Sequence, residues 1–312
     1  MTRHESILGV IGDTPLVGIH ALSPNPDVRI YAKLEGQNPG GSSKDRIALT
    51  MVDLAERDGV LAPGDTILEP SSGNTGIGLA LVAKLRGYRL RVVMPDNVSV
   101  ERRQLLEIFG ADVVLSPGAE GSNGAIRRAE QLAADDPSLR LLFQYGNPAN
   151  PLAHYTGTGP EIWRDCPEVG VFVAGLGTSG TLMGVGRYLK EQNPAVKVFA
   201  VEPPAGELVS GLRSLDDGFV PPIFDASVLD GKSIVRPRES IEWLRRLLDD
   251  CGIFAGVSSG AAVAGAVKAA SDLDSGTIVT LLPDGGWKYL SSGAWTDELD
   301  VVAERTTKIN YW

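Results

Sequence analysis

Two kinds of apolar pattern alternate along this chain. Short runs rich in β-branched residues predict strands, and longer segments with apolar residues at every third or fourth position predict helices. Gly, Pro, Asn or Asp mark most of the breaks between them. Repeated strand–helix units predict an α/β protein with mainly parallel sheets that helices cover on both faces. The predicted strands include "DTILEP", "RLRVVMP", "ADVVLSP", "LRLLFQY", "GVFVAG", "VKVFAVEP" and "GTIVTLL".

The alternation breaks at "GNPANP", which we interpret as a junction between two doubly wound domains. The smaller, mobile domain is predicted to span residues 36–149. The larger one is predicted to comprise residues 1–35 plus 150–312. Ligands of doubly wound sheets bind beyond the carboxyl ends of the strands. The functional residues are therefore expected in loops that join a strand to the next helix.

The overall charge narrows the possible partners. With 39 acidic and 29 basic residues the net charge is −10, which argues against nucleic acid or an anionic membrane as a partner. No apolar run approaches the ~18 residues that a membrane helix needs. The first residues also lack the long apolar core of a signal peptide. A cytoplasmic location is therefore expected.

Metal and disulfide chemistry are not expected. His4, His20 and His154 are scattered along the chain and predict no metal cluster. Cys166 and Cys251 are far apart, and neither has a second cysteine nearby, so both are expected to be buried reduced thiols.

The loop "GLGTSGT", Gly175 to Thr181, lies between a predicted strand and a predicted helix. Its glycines allow close approach of the backbone, and the helix start offers free N–H groups, so we expect it to bind a phosphate. The loop also matches G-x-G-x-x-G, and Glu202 ends the next strand, where a dinucleotide-binding fold places an acid for ribose. A nicotinamide-dependent dehydrogenase is thus an alternative. The hydroxyl groups of the loop favour a compact phosphate monoester.

A second loop of this kind is "SSGNTG", Ser71 to Gly76, again between a strand and a helix. Hydroxyls, an amide and exposed N–H groups form an uncharged anion pocket that suits a carboxylate. The same residues are also ordinary helix caps, but two such loops in one chain favour a binding role.

Lys44, in "GQNPGGSSKDR", has an unusual position. It is predicted in the first turn of a helix, after Ser42 and Ser43, which look like caps. The helix dipole disfavours a cation there by ~0.3–1 kcal/mol. An amine kept neutral by this dipole and by partial burial is a nucleophile toward a carbonyl. An aldehyde cofactor that also bears a phosphate would satisfy both Lys44 and the glycine-rich loop, and pyridoxal 5'-phosphate is such a cofactor.

Seven motifs together resemble one known family over nearly the whole chain. In order, they are "GDTPLV", "KLEGQNPGGSSKDR", "EPSSGNTG", "MPDNVSVERR", "NPANP", "GLGTSGT" and "GVSSGAA". They are similar to the cysteine synthases, which are pyridoxal-phosphate enzymes of fold type II and share the fold of the tryptophan synthase β subunit. The segments "MPDNVSVERR" and "HYTGTGPEIW" look more like the cysteine synthase B branch than the A branch.

The resemblance implies a role for each site residue. Lys44 would hold the cofactor as an imine and then act as general base on the α-proton, and Asn74 would bind the phenolic oxygen. The substrate carboxylate would be bound by Ser71, Ser72, Thr75 and Gln144. The cofactor phosphate would be bound by Gly177, Thr178, Ser179, Gly180 and Thr181.

Two departures from the family pattern affect these assignments. Asp284, in "PDGG", replaces the serine that meets the pyridine nitrogen in A-branch enzymes, so we assign that role to Ser258. An Asp284 carboxylate against that nitrogen would instead favour the protonated ring. Gly40 replaces the usual Thr or Ser before the second glycine of the lysine loop, which leaves Lys44 in register.

The implied reaction is β-replacement through an aminoacrylate, with small-molecule substrates and a homodimeric enzyme. The activated serine is O-phosphoserine or O-acetylserine, and Arg213 in "SGLRSLDDGFVP" resembles the O-phosphoserine enzymes. The sulfur donor is sulfide, thiosulfate or a thiocarboxylated carrier protein. Alternatives are a related β-eliminase or cystathionine β-synthase, or a non-catalytic two-domain binding protein. The tail with Tyr311 and Trp312 is either a frayed chain end or a segment that folds over the active-site cleft.

Overall fold

The computed structural model describes residues 3–71 and 73–308, which form ten strands and ten α-helices. The strands are β1 Leu16–Gly18, β2 Val28–Leu34, β3 Thr66–Pro70, β4 Arg89–Pro95, β5 Asp112–Ser116, β6 Leu139–Leu141, β7 Val171–Gly175, β8 Lys197–Glu202, β9 Gly231–Ile234 and β10 Gly276–Leu282. The helices are α1 Lys44–Arg57, α2 Asn74–Arg86, α3 Val100–Phe109, α4 Gly121–Asp135, α5 Ala149–Ala153, α6 Gly159–Asp165, α7 Gly180–Gln192, α8 Pro237–Cys251, α9 Val257–Ser271 and α10 Leu299–Lys308. A single-turn π-helix, His154–Thr158, joins α5 to α6.

The strands form two sheets, and the α/β fold predicted from the sequence is confirmed. One sheet has the order β1-β2-β10-β7-β8-β9, in which only β1 runs antiparallel to its neighbour. The other has the order β5-β4-β3-β6 and is wholly parallel. The four-stranded sheet lies within residues 66–141. The division into a mobile domain of residues 36–149 and a larger remainder stays a prediction.

Burial on both faces explains the continuous apolar strands of the larger sheet. In β7, Val171 to Ala174 are all buried, as expected for a parallel strand with helices on both sides. Small residues let α9 pack closely against that sheet and against α8. A Cβ on Gly260 would lie 1.9 Å from the Ser240 carbonyl oxygen, and one on Gly265 would lie 2.4 Å from a Val201 methyl. This packing fixes the start of α9, which carries Ser258.

Two of the local expectations are wrong. The strand predicted over "LRLLFQY" ends at Leu141, because Phe143 adopts a left-handed conformation with φ of 57° and turns the chain away from the sheet. Cys166 is buried, but Cys251 is only half-buried, because it ends α8; both cysteines are free thiols.

Candidate active site

Loops from both sheets line one cavity at the carboxyl ends of the strands. They follow β3, β6, β7, β8 and β10, and the starts of α1 and α9 complete the wall. The lining includes these residues chosen from the sequence: Lys44, Ser71, Asn74, Thr75, Gln144, Gly177, Thr178, Ser179, Thr181, Arg213 and Ser258. Gly180 lies in the same loop as Gly177, and Ser72 lies outside the described residues. The sequence-predicted side chains therefore meet in one place, as the rule for parallel sheets requires.

Lys44 is the first residue of α1 and is half-buried. Its backbone N–H donates to Ser42 Oγ at 3.2 Å, so Ser42 caps the helix start. Ser43 does not cap the helix as expected, since its Oγ lies 3.2 Å from Lys44 Nζ and accepts from that amine instead. Burial lowers the pKa of Lys44, and nearby carboxylates, Asp284 foremost, oppose that shift. The site therefore favours the neutral amine more than water does.

The glycine-rich loop crosses from β7 to the start of α7. Ser179 precedes α7 with a φ of 71°, so successive backbone N–H groups can face the cavity. A Cβ on Gly177 would lie 2.9 Å from the Gly211 carbonyl oxygen, so the loop tolerates no larger residue there without movement. The Ser179 hydroxyl is buried and has no hydrogen-bond partner among the described residues. A free N–H cradle and an unpartnered hydroxyl suit a phosphate.

Two residues that the sequence analysis did not select hold the hydroxyls of this loop. Asn150 Nδ2 donates to Thr178 Oγ1 at 2.9 Å, and His154 Nε2 lies 3.2 Å from Thr181 Oγ1. Burial, together with the charge of Lys44, holds the pKa of His154 well below its usual value, so its ring is neutral. The motif "NPANP" contains Asn150, but its partner Thr178 is distant in sequence, so the pattern gave no sign of this contact.

The hydroxyl groups of the loop from Ser71 to Gly76 form hydrogen bonds that hold this loop in place. Ser71 Oγ accepts from the N–H groups of Gly73 and Gly76 at 3.3 and 3.1 Å. Thr75 Oγ1 donates to Gln144 Oε1 at 2.5 Å, which brings the residue after β6 against the start of α2. The uncharged groups expected to hold a carboxylate are thus in contact with one another.

Asn74 belongs to a buried polar network. Its Nδ2 donates to Asp284 Oδ2 at 2.8 Å, and its Oδ1 accepts from Lys288 Nζ at 2.8 Å. Tyr289 also donates to Asp284 Oδ2, at 2.6 Å. Burial lowers the pKa of Lys288 to about 8. The sequence analysis missed Lys288 and Tyr289, and their only sequence signal was proximity to Asp284.

Ser258 and Asp284 have different surroundings. Ser258 lies in the first turn of α9 and lines the cavity. Asp284 does not belong to the described lining of the cavity; its Oδ2 accepts from Asn74 and Tyr289, and its buried Oδ1 has no hydrogen-bond partner among the described residues. Of the two residues considered for the pyridine nitrogen, the geometry therefore favours Ser258.

Arg213 is buried and lines the cavity. Its guanidinium lies 4.5 Å from the ring centre of Phe219 and 5.6 Å from that of Tyr145. Contact with aromatic rings restricts the orientation of a guanidinium and excludes water from part of it.

The acid proposed for a dinucleotide ribose is not available in the fold. Glu202 is fully buried, its Oε2 accepts from the Leu215 N–H at 3.1 Å, and its Oε1 lies 2.5 Å from Lys232 Nζ. These contacts disfavour the dehydrogenase alternative.

Within residues 3–71 and 73–308, no group of three or more His, Cys, Asp or Glu is arranged to hold a metal ion. No helix in the same ranges is long and apolar enough to cross a membrane.

A model of the family described as pyridoxal-phosphate dependent enzyme matches residues 7–284. The chain belongs to this family. Among curated members, a cysteine synthase of Staphylococcus aureus strain N315 is 43% identical over 298 residues, covering 92% of this chain and 96% of that protein. The cysteine synthase B of Pseudomonas aeruginosa is 42% identical over 294 residues, covering 94% of this chain and 98% of that protein.

Solved structures of this pyridoxal-phosphate family share the fold. An O-ureido-L-serine synthase superimposes with a TM-score of 0.89 at 42% identity, covering 95% of this chain and 97% of that one. A cysteine synthase from Entamoeba histolytica superimposes with a TM-score of 0.89 at 34% identity, covering 98% of this chain and 96% of that one. The family and the fold inferred from the motifs are confirmed, and pyridoxal phosphate is the cofactor of the family.

Proposed function

We propose that this chain makes L-cysteine by replacing the β-substituent of an activated serine with sulfur. The observation that carries the proposal is the convergence of three elements on one cavity: the Lys44 amine, the uncharged loop before α2 and the phosphate-type loop before α7. The similarity to two curated cysteine synthases supports this reaction class.

The cavity fits pyridoxal phosphate. The N–H groups and hydroxyls of residues 177–181 would hold its phosphate, Ser258 would face its ring nitrogen, and Asn74 would face its phenolic oxygen. When bound, the cofactor supplies an electron sink that acidifies the α-carbon of an amino acid. The remaining Nδ2 hydrogen of Asn74 is free to point into the cavity, because Asp284 and Lys288 fix the orientation of its amide.

Lys44 would move the proton in this reaction. Its Nζ would take the α-proton of the substrate and return it to the product. A lowered pKa suits this task, because a base must be unprotonated before it can accept a proton. Ser71, Thr75 and Gln144 would hold the substrate carboxylate beside Lys44, with Ser72 as a further predicted contact. Movement of residues 36–149 toward the rest would exclude water from the reaction.

The donor we propose is O-phosphoserine, on the basis of Arg213. A phosphate leaving group accepts two parallel hydrogen bonds from a guanidinium, whereas an acetyl ester offers nothing comparable. A surface pairing with the neighbouring acids is disfavoured, because Arg213 is buried while Asp216 and Asp217 are exposed. Asp217 accepts from the Gly206 N–H at 2.9 Å.

Replacement of Lys44 tests the proposed reaction. Lys44→Ala should leave a folded protein, since the side chain makes only one hydrogen bond, to Ser43, among the described residues. Cysteine formation from either activated serine should fall below detection, because no other group replaces the base. Lys84→Ala, an exposed position in the last turn of α2, serves as the matched control. Normal turnover by folded Lys44→Ala would refute the proposal.

A further inference from the structure

A buried carboxylate with no role so far lies directly behind the cavity. Glu69, near the end of β3, has no exposed surface. Its Oε2 accepts from the Phe143 N–H at 2.8 Å, and its Oε1 accepts from the Gln144 N–H at 3.0 Å. Both carboxylate oxygens therefore accept hydrogen bonds from backbone N–H groups of a single turn.

That turn holds an unfavourable backbone conformation. Phe143 has a φ of 57°, in the left-handed region that costs a non-glycine residue roughly 1–2 kcal/mol. Such a conformation persists only where its surroundings determine it. The two hydrogen bonds from the Glu69 carboxylate act on this residue and on the next one, so they oppose relaxation of the turn.

The turn positions a residue that lines the cavity. Gln144 follows Phe143, and its Oε1 accepts from Thr75 at 2.5 Å. The Gln144 carbonyl accepts from Asn150 Nδ2 at 2.9 Å, and the same Nδ2 reaches Thr178 Oγ1 at 2.9 Å. The turn therefore connects the proposed carboxylate loop with the proposed phosphate loop.

We propose that Glu69 is a positioning residue whose carboxylate holds the Phe143–Gln144 turn and so fixes the Gln144 amide for the carboxylate of the amino-acid substrate. The inference rests on the proposed function, which places that carboxylate at Gln144. A carboxylate is suited to the task because it offers an acceptor to each of two N–H groups. A glutamine of the same size keeps one acceptor and turns an NH₂ group toward the other N–H.

The test uses the cofactor-loaded enzyme and its absorption spectrum. The amino-acid substrate is titrated without a sulfur donor, at about pH 8.5, because burial raises the pKa of Glu69 to about 8 and the carboxylate is then ionised. Glu69→Gln should raise the substrate concentration for a half-maximal spectral response by about tenfold, the effect of one lost buried hydrogen bond. The dissociation constant of the cofactor should stay within about twofold of wild type. Glu101→Gln, which loses an acceptor to Ser291 instead, is the matched control.

A second comparison follows from the strained φ. Glycine adopts a positive φ without strain, so a Phe143→Gly variant should keep the conformation of the turn without help from Glu69. In that background, the effect of Glu69→Gln on the substrate response should be clearly smaller. The inference is overturned if Glu69→Gln responds to substrate within twofold of wild type, or if cofactor and substrate affinity fall equally. A wild-type enzyme that shows no spectral response to either activated serine would instead refute the proposed function.

Discussion

Arg213 is the side chain that we propose selects the donor. It lines the cavity, and its guanidinium lies near the rings of Phe219 and Tyr145. The wild type should therefore prefer O-phosphoserine to O-acetylserine in kcat/KM. Arg213→Ala should lose ~2–5 kcal/mol of transition-state binding for the phosphate donor, because it leaves a buried anion unpaired, and should change little for the acetyl donor.

The control for this measurement is Arg187→Ala, which removes an exposed arginine paired with Asp225. It should leave both donors unaffected. Equal losses for both donors in Arg213→Ala would show that this arginine supports the loop rather than the phosphate, and the assignment would return to O-acetylserine.

Some site residues were identifiable from the sequence alone, and others were not. Lys44 was identifiable because its position conflicts with the rules for a helix start, and that conflict is local in sequence. Glu69, Asn150 and Lys288 were not identifiable, because each acts through partners far away in the chain: Glu69 on Gln144, Asn150 on Thr178, Lys288 on Asn74. A buried glutamate at a strand end has no sequence signature until the fold places its partner beside it.

The π-helix His154–Thr158 supports the start of α7. His154 Nδ1 lies 2.9 Å from Thr158 Oγ1, and its Nε2 reaches Thr181. In the folded chain the pKa of His154 is well below the ordinary histidine pKa of 6.5. In the unfolded chain His154 therefore becomes protonated once the pH falls below about 6.5, whereas in the folded chain it stays neutral. The unfolded state then binds more protons, so this residue makes the free energy of unfolding fall as the pH drops, by a slope approaching ~1.4 kcal/mol per pH unit.

Denaturant unfolding at several pH values checks this expectation. The difference in free energy of unfolding between wild type and His154→Gln should shrink as the pH falls below about 6.5. Gln104→Ala, at an exposed position whose side chain does not titrate, should show no such trend. A difference that stays constant from about pH 7.5 to about pH 5.5 would contradict the account of His154.

The apolar pattern predicted strands well where burial determines the structure. It predicted them less well where a strained backbone conformation ends the strand. β7 and β10 are continuous apolar runs because both faces are covered, and both were found where predicted. "LRLLFQY" is also rich in large apolar residues, but the left-handed Phe143 ends its extended path early. A local pattern does not report that conformation, since the Glu69 contacts that maintain it come from another strand.

Across the whole molecule, a buried charge network ties α1 to the larger sheet. Arg46 pairs with Glu35 at 2.7 Å and with Glu161 at 2.6 Å, and Lys33 lies 2.7 Å from Glu161. Burial alone would raise the pKa of Glu161, but Arg46 and Lys33 lower it to about 2. Because Arg46 belongs to the predicted mobile segment and its partners do not, movement of residues 36–149 must leave the start of α1 anchored.

The seven motifs were enough to identify the family and the fold, because each is a contiguous stretch of sequence that is recognisable without knowledge of its partners in space. The tail that contains Tyr311 and Trp312 lies outside the described residues, so its covering of the cleft stays a prediction. The homodimer and the sulfur donor also stay predictions.

We expect Lys44, rather than another amine near the cavity, to hold pyridoxal phosphate. Lys288 is the informative competitor, because it is buried, its pKa is lowered to about 8, and it contacts the Asn74 side chain. Borohydride reduction of the loaded protein, followed by proteolysis and mass spectrometry, locates the attached cofactor. We expect the reduction to abolish the visible absorption band and to leave the added mass on the peptide that contains Lys44. Attachment at Lys288, or no attachment and no visible band, would contradict it.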